Sequence, residues 1–321
     1  MGSMVLRWVV TALMEADNNF RRVRGYRETT MLDVHHALPR RISTVLYSHL
    51  HALYYRVRNK ISRTLKKRRW QEIPNHEQTT FFTESHQLFE PQLAGPSTFL
   101  PHCVGADAVR GVLPIIEELG ADPYLDSVKG YYRKGIAEFG DEWSYADMST
   151  VLYGICKVLR VQSYLEIGVR RGRSMAVVAS MRPQCRIVGF DLWIPNYCGV
   201  DNPGKDFVRA ELEKVSYRGE VEFVDGDSKK TVPEYFRKHP DAYFDLVTVD
   251  GDHSIGGAVR DLKNVIPRIK IGGILVFDDI SSYEHPYLMK VWNRCIVRNE
   301  RFAAFSFTEL GLGVGFAIRK Y

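Results

Sequence analysis

The spacing of hydrophobic residues along this chain differs before and after residue 160. From Ile42 to Leu65 they recur at steps of three and four residues, which is the spacing of one face of an amphipathic helix. Residues 71–105 hold four prolines and few periodic apolar positions, so we predict a linker or an extended arm there. Helical spacing returns from Ala106 to Leu159.

After residue 160, short β-rich runs alternate with helical stretches, and each run ends at or beside a glycine or an aspartate. Such alternation is typical of a doubly wound, mostly parallel α/β sheet. In these sheets the ligand lies beyond the carboxyl ends of the strands. The predicted strands are Tyr164–Ile167, Arg186–Asp191, Val221–Val224, Asp245–Asp250 and Ile274–Asp279, followed by a hairpin-like pair at Phe302–Phe307 and Val314–Arg319.

Charge separates the N-terminal part from the rest of the chain. The 45% apolar and 26% charged composition excludes a disordered chain, a collagen and a coiled-coil rod. Residues 1–70 contain 15 Lys and Arg against 4 Asp and Glu, whereas the remainder contains 29 against 34. The basic segment is therefore expected to meet an anionic surface or an acidic partner.

The sequence shows no apolar run near the roughly 18–20 residues that a membrane span needs. Its five cysteines are scattered and form no C-x-x-C pair, which argues against a disulfide framework or a zinc ribbon. We therefore expect a cytoplasmic protein that is at most peripheral to a membrane.

A glycine-rich turn follows the first strand of the alternating region and opens a helix. Residues 165–174 are L-E-I-G-V-R-R-G-R-S, in which Gly168 and Gly172 allow a tight turn and a close approach to a ligand. The E-x-G-x-x-x-G spacing differs from the G-x-G-x-x-G of dinucleotide-binding proteins and argues against NAD. Glycine turns between a strand and a helix are also common without any ligand, so this motif alone leaves both interpretations open.

Acidic and hydroxyl side chains follow the next two strands. Asp191 ends the second strand, where a carboxylate can accept hydrogen bonds from two ribose hydroxyls. Asp227 and Ser228 follow the third strand and suit an adenine edge. Each residue alone can equally be an ordinary turn or cap residue, but their order at three successive strand ends favours a nucleoside cofactor.

Together these motifs resemble the class I S-adenosylmethionine-dependent methyltransferases, in particular the metal-dependent group that is similar to catechol O-methyltransferase. The stretch 165–174, with its final serine, carries the resemblance, which continues to about residue 321. The resemblance implies a Rossmann-like, seven-stranded, mostly parallel sheet with an antiparallel last strand. It also implies a set of contacts to S-adenosyl-L-methionine, namely Glu166, Gly168, Gly172, Ser174, Asp191, Asp227, Ser228 and Asp250.

Three parts of the chain are predicted on this basis. Residues 1–105 form a basic helical N-terminal extension and linker, residues 106–142 a helical cap, and residues 143–321 the methyltransferase domain. The extension is expected to join copies of the chain into a homo-oligomer through its helices, or to dock on an anionic membrane.

Carboxylates also gather after the fourth and fifth predicted strands. Asp250 follows the fourth strand, and Asp278 and Asp279 end the fifth. Three such groups repel one another unless a cation lies between them, and hard oxygen ligands suit Mg²⁺ or another divalent cation. The resemblance implies that these three aspartates bind the metal.

His253 stands where the catechol enzymes are expected to carry a lysine base. A histidine can take up a hydroxyl proton near neutral pH, so we predict His253 and Asp250 as the catalytic residues. A supporting contact at the start of a helix is the alternative for His253. The predicted activity is metal-dependent O-methylation of a small-molecule or sugar hydroxyl, with acceptor contacts from Trp193, Tyr197, Tyr283 and His285, which can equally serve as loop packing.

Two other functions compete with this prediction. The basic segment can serve a nucleic-acid methyltransferase, but the aspartate cluster would repel a phosphate backbone. The fourth strand also lacks the Asn/Asp-Pro-Pro-aromatic motif of enzymes that methylate base amines. A relative that binds the cofactor without methylating anything is the other alternative, because a fold does not decide chemistry.

Overall fold

The computed structural model describes residues 80–82, 87–89 and 93–321. The predicted helix over 42–65 and the basic extension lie outside the described residues. Strands β1 (Thr80–Phe82) and β2 (Gln87–Phe89) pair with each other in an antiparallel ribbon that is separate from the main sheet. The folded unit that contains the main sheet extends to Tyr321.

Nine α-helices fall within the described ranges. Four precede the main sheet and five alternate with its strands. They are α1 (Pro96–Cys103), α2 (Ala106–Glu117), α3 (Pro123–Phe139), α4 (Met148–Val158), α5 (Arg173–Met181), α6 (Lys205–Lys214), α7 (Ser228–Lys238), α8 (Ile255–Val265) and α9 (Leu288–Trp292). Helix α9 continues into one turn of π-helix over Asn293–Val297.

Seven strands form one mixed sheet, as predicted. They are β3 (Ser163–Ile167), β4 (Arg186–Asp191), β5 (Val221–Asp225), β6 (Phe244–Val249), β7 (Ile269–Asp278), β8 (Phe302–Phe307) and β9 (Val314–Arg319). Their order across the sheet is β5-β4-β3-β6-β7-β9-β8. Strands β3 to β7 pair in parallel, and β9 runs antiparallel to both of its neighbours. The doubly wound fold with an antiparallel last strand is therefore confirmed.

Helices cover both faces of this sheet, so the central strands are buried on both sides. In β3, Tyr164 packs into the layer formed with α1, α2, α4 and α5, whereas Leu165 and Ile167 pack against α7, α8 and α9. Successive side chains of a strand point to opposite faces, and strands buried on both faces consist of nearly continuous apolar residues. This is why unbroken apolar runs marked the strands in the sequence.

The linker predicted over residues 71–105 does not extend to its predicted end. Helix α1 lies inside that range and buries Phe99 and Cys103 in the core. Pro96 occupies the start of the helix, where its missing N–H costs nothing, and tertiary packing outweighs Pro101 in the helix interior. Proline content suggested a linker because a sequence does not show which apolar residues will be buried.

In the described ranges no single helix has the length and apolar composition of a membrane span. Helices α1 and α2 meet these criteria only as a pair, which is bent by 61°.

Truncation of Phe99 tests whether α1 is part of the cooperative core. Phe99 is 2% exposed and its ring meets that of Phe316 edge to face, so Phe99→Ala should lower the free energy of unfolding by about 3–5 kcal/mol. Phe139→Ala is the matched control, because Phe139 is 58% exposed and its loss should change stability by no more than about 0.5 kcal/mol. Urea denaturation of the full chain measures both, and equal effects would contradict the placement of α1.

Candidate functional site

Most of the predicted site residues meet in one cavity of about 840 Å³ at the carboxyl edge of the sheet. Small-molecule sites typically span about 300–1,000 Å³, so this cavity is a large one of that kind. Glu166, Gly172 and Trp193 do not line it. The predicted residues that line it are Gly168, Ser174, Asp191, Tyr197, Asp227, Ser228, Asp250, His253, Asp278, Asp279, Tyr283 and His285.

The glycine-rich turn brings the ends of β3 and β6 into direct contact. Gly168 has φ +92°, and a Cβ atom there would overlap the backbone carbonyl of Asp250. The N–H of Gly168 donates to Phe190 and the N–H of Asp250 donates to Ile167. Only glycine fits this close approach, which fixes the glycine-rich turn against Asp250.

Gly172 ends the turn in the left-handed conformation, with φ +74°, immediately before α5. A Cβ atom at this position would press on Val208 of α6. Gly172 therefore shapes the loop and its packing on α6, and it does not contact the cavity itself.

Glu166 lies beneath the cavity and is fully buried. Its carboxylate accepts hydrogen bonds from the hydroxyls of Tyr164 and Ser174, and only Ser174 reaches the cavity. Burial raises the pKa of Glu166 to about 8, although these two hydrogen bonds partly oppose the rise. Glu166 can thus orient the Ser174 hydroxyl from below.

Asp191 binds the loop as well as lining the cavity. One carboxylate oxygen accepts from the backbone N–H groups of Val169 (2.8 Å) and Arg170 (2.7 Å), and the other accepts from the N–H of Trp193. The Trp193 indole donates to Asp225 at 2.9 Å, so it braces the loop after β4. A carboxylate has about four acceptor positions, which leaves Asp191 capacity for a ribose hydroxyl.

Two aspartates lie near the end of the third predicted strand, namely Asp227, which the sequence analysis predicted, and Asp261, which it missed. Asp227 caps α7 by accepting from the N–H of Lys229 at 3.0 Å. Asp261 of α8 is fully buried beside the Ser228 hydroxyl and the backbone of Asp252, and burial raises its pKa to about 6. Both of its carboxylate oxygens are buried without a hydrogen-bond partner among the described residues. Its helical position gave no sequence signal, because only the fold brings it beside Ser228 and Asp252.

The acidic end of the cavity joins Asp250, His253 and Asp279. His253 Nε2 lies 3.0 Å from Asp250 Oδ1 and 3.8 Å from Asp279 Oδ2. One potential ligand atom from each of these three residues lies within 4.8 Å of the others. Burial lowers the pKa of His253, but the neighbouring carboxylates raise it more, so its net shift is upward.

Asp278 lines the same cavity but is not a member of that group of three, although the sequence analysis assigned it to the metal. Burial, followed by the charges of Asp250 and Asp279, raises the pKa of Asp278 well above its usual value. Burial and Asp250 likewise raise the pKa of Asp279 to about 6. The crowded carboxylates are thus held in a place that disfavours their charged forms.

A short loop after β7 forms the wall beyond the acidic end. The His285 ring lies 5.0 Å from that of His253, and its Nδ1 is 3.1 Å from the Tyr287 hydroxyl. Tyr283 is 81% exposed at the cavity rim. Backbone hydrogen bonds from Ile280 to Gly313 and from Ser281 to Leu312 fasten this loop to the β8–β9 turn.

Three arginines of the glycine-rich motif tie the loop to its surroundings. The Arg170 guanidinium stacks on Tyr124 and Tyr197, and Arg171 forms an ion pair with Asp122 at 3.0 Å. Arg173 stacks on Tyr124, with 4.8 Å between its guanidinium and the ring centroid. The R-R-G-R run was visible in the sequence, but its partners on α3 were not.

Comparison with known proteins identifies the part of the chain that carries this site. A model described as a methyltransferase domain matches residues 165–280. The match covers about a third of the chain. The matched residues run from β3 to the end of the β7 aspartate pair, so the family domain contains both the glycine-rich turn and the acidic end.

Similar proteins carry methyltransferase names. Tapetum-specific methyltransferase 1 of Arabidopsis thaliana is 27% identical over 134 residues, which are 41% of this chain and 53% of that protein. This chain therefore matches about half the length of that relative.

Two solved structures are similar at low identity. TomG from Streptomyces achromogenes, in complex with SAM, is 18% identical, with a TM-score of 0.45 over 63% of this chain and 92% of TomG. The O-methyltransferase from Bacillus cereus, in complex with SAH, is 16% identical, with a TM-score of 0.44 over 63% of this chain and 92% of that one.

The buried Glu166 of the methyltransferase domain should give a distinct pH dependence. Its pKa is about 8 in the folded state and near 4.5 when exposed, so between these values the folded state holds the extra proton. The free energy of unfolding should therefore fall with rising pH by up to about 1.4 kcal/mol per unit, relative to Glu166→Gln. Urea denaturation of both proteins at pH 5, 6.5 and 8 measures this difference, and a constant difference would contradict the raised pKa.

Proposed function

We propose that this chain transfers a methyl group from S-adenosylmethionine to a hydroxyl oxygen of a small molecule or sugar, with the help of a divalent cation. One observation carries the proposal. The glycine-rich turn and Asp191 lie in the same cavity as the group formed by Asp250, His253 and Asp279. Residues suited to a nucleoside and residues suited to acid-base chemistry thus line the same cavity.

The cofactor end can hold the nucleoside and orient its amino-acid tail. Asp191 has acceptor capacity for ribose hydroxyls, and Asp227 and Ser228 line the cavity after β5. When bound, S-adenosylmethionine supplies the methyl group as an activated sulfonium substituent. The chain itself provides position, because a fixed distance and direction between reactants removes much of the entropic barrier.

The acidic end suits a divalent cation. Carboxylates whose pKa values are raised by burial and mutual repulsion are stabilised in their charged form by a nearby positive ion. Asp250 and Asp279 would hold the ion, with His253 or Asp278 as a further ligand. When bound, a divalent cation lowers the pKa of a hydroxyl that it contacts.

His253 is the residue best placed to take the acceptor proton. Its side chain lines the cavity and its Nε2 faces Asp250, which favours the protonated imidazole once a proton has been accepted. If His253 Nε2 bound the cation, the same nitrogen could not also accept the proton of the acceptor hydroxyl. At that atom, metal binding and general-base catalysis therefore exclude each other. The pH dependence of turnover and metal affinity of a variant separates them.

The acceptor is proposed to be a small polyol or phenol. Polar and aromatic side chains border the acidic end, namely Ser282, Tyr283, Glu284 and His285. Such a mixture can stack a ring and hydrogen-bond its hydroxyls. The matches to a methyltransferase domain and to the Arabidopsis relative support methyl transfer in general. The proposed acceptor class is argued from these four side chains.

Replacement of His253 and removal of metal test the mechanism. A panel of sugars, phenols and catechols is incubated with S-adenosylmethionine and Mg²⁺, and methylated product is detected by mass spectrometry. With the best acceptor, His253→Asn should lower kcat by about 10²–10⁴ if the imidazole is the base, with S-adenosylhomocysteine binding retained. Excess EDTA should abolish turnover reversibly, and Mg²⁺ should restore it.

Asp241→Asn is the control, because Asp241 is exposed at a turn and does not line the cavity. Full turnover in EDTA would disprove the metal requirement. A kcat of His253→Asn within twofold of the parent would rule out its role as base.

A further inference from the structure

Two cationic side chains in the cavity wall, Arg170 and Arg173, form no ion pair with a carboxylate of the described residues, and only Arg170 is held by a backbone carbonyl. Four Lys and Arg residues line the cavity, namely Arg170, Arg171, Arg173 and Lys229. Arg171 is paired with Asp122 and Lys229 with Asp252, while Arg170 donates to the Tyr197 carbonyl at 3.0 Å. In the described part of the chain, no carboxylate lies within ion-pair distance of Arg173.

The acid that acts most strongly on Arg173 is already occupied. Asp147 lies near enough to influence the guanidinium electrostatically. Its Oδ1 accepts from the N–H of Thr150 at 3.0 Å, and its Oδ2 accepts from the hydroxyls of Tyr132 and Tyr145. Asp147 therefore caps α4 and anchors two tyrosines. Arg173 hydrogen-bonds the Tyr124 hydroxyl and not a carboxylate, so its charge can still pair with a different anion.

The position of Arg173 indicates which anion fits. Arg173 begins α5 directly after Gly172 and precedes Ser174, which reaches the cavity from the Glu166 side. Asp191, at the end of the neighbouring strand, marks the ribose end. Arg173 therefore borders the part of the cavity that is left for the non-nucleoside end of the cofactor.

We propose that Arg173 binds the α-carboxylate of the methionine moiety of S-adenosylmethionine, an inference that rests on the proposed function. A guanidinium presents two parallel N–H groups that match a carboxylate, and it stays charged under all ordinary conditions. Helix α5 has no acidic residue in its first turn and no side-chain cap, so its N-terminal N–H groups favour the same anion. Tyr124 covers the guanidinium and limits its competing hydration.

This assignment makes Arg173 a specificity residue for the amino-acid tail. It predicts that ligands with the carboxylate gain affinity through Arg173 and that ligands without it do not. S-Adenosylhomocysteine carries the carboxylate, whereas 5′-methylthioadenosine has the same nucleoside and a thioether but no amino-acid tail. Comparing the affinities of these two compounds therefore separates recognition of the amino-acid tail from recognition of the nucleoside.

Calorimetric titration of the full chain with both compounds tests the inference. Arg173→Gln should weaken S-adenosylhomocysteine binding by roughly 10- to 100-fold, the loss expected for a hydrogen-bonded charge pair, and leave 5′-methylthioadenosine binding within twofold of the parent. Arg173→Lys keeps the charge without the planar fork and should fall between the two proteins. Arg209→Gln is the matched control, because Arg209 stacks on Phe223 and does not line the cavity.

Equal weakening of both compounds in Arg173→Gln and Arg173→Lys would show a structural role and overturn the inference. Unchanged S-adenosylhomocysteine affinity would overturn it as well, while the proposed function would stand. If the parent protein bound neither compound, the proposed function would fail and the inference with it.

Discussion

The contact between Gly168 and the backbone of Asp250 is the constraint on which the rest of the site depends. Strands β3 and β6 are neighbours in the centre of the sheet, and their carboxyl ends approach so closely that no side chain fits between them. The left-handed turn at Gly168 then directs the loop towards Asp191 and back into α5. The glycine-rich loop and Asp250 are thereby fixed to the same two strands, which parallel pairing holds in register.

Carboxylates with raised pKa values are concentrated at this edge of the sheet. Glu166, Asp278 and Asp279 all have pKa values raised by burial, which is a cost to folding whenever they are charged. Arginines on the other side of the loop are held by aromatic rings and by Asp122. Perturbed carboxylates concentrated in a cavity are typical of functional sites, and a bound cation and cofactor would offset the unfavourable charges.

The sequence predicted the strands of the main sheet well because burial on both faces leaves continuous apolar runs, which need no knowledge of partners. Strand β7 begins at Ile269, five residues before its predicted start, and its register with β6 shifts between the pairs Phe244–Ile269 and Leu246–Ile274. Gly273 accommodates the carbonyl groups of Lys270 and Asp245 at close range. Strand ends, and with them Gly168, Asp191 and Asp250, could thus be placed from local pattern alone.

Tertiary contacts account for what the sequence did not reveal. Asp261 and Arg173 belong to ordinary helices, and only the fold shows that one lies beneath two loops and the other borders the cavity. Helix α1 was taken for linker because it is short and contains two prolines. Trp193 was expected at the acceptor, but its indole donates a hydrogen bond to Asp225 at the end of β5. In each case the partner comes from a distant part of the chain.

We expect the cofactor and the cation to share one cavity at this edge of the sheet. A crystal structure of the full chain with S-adenosylhomocysteine and Mn²⁺, which accepts the same oxygen ligands as Mg²⁺ and scatters anomalously, tests it most directly. The expected result is a nucleoside ribose at Asp191 and an anomalous peak bounded by the carboxylates of Asp250 and Asp279. A cofactor bound elsewhere, or a nucleoside in the cavity with no anomalous peak at these aspartates, would contradict it.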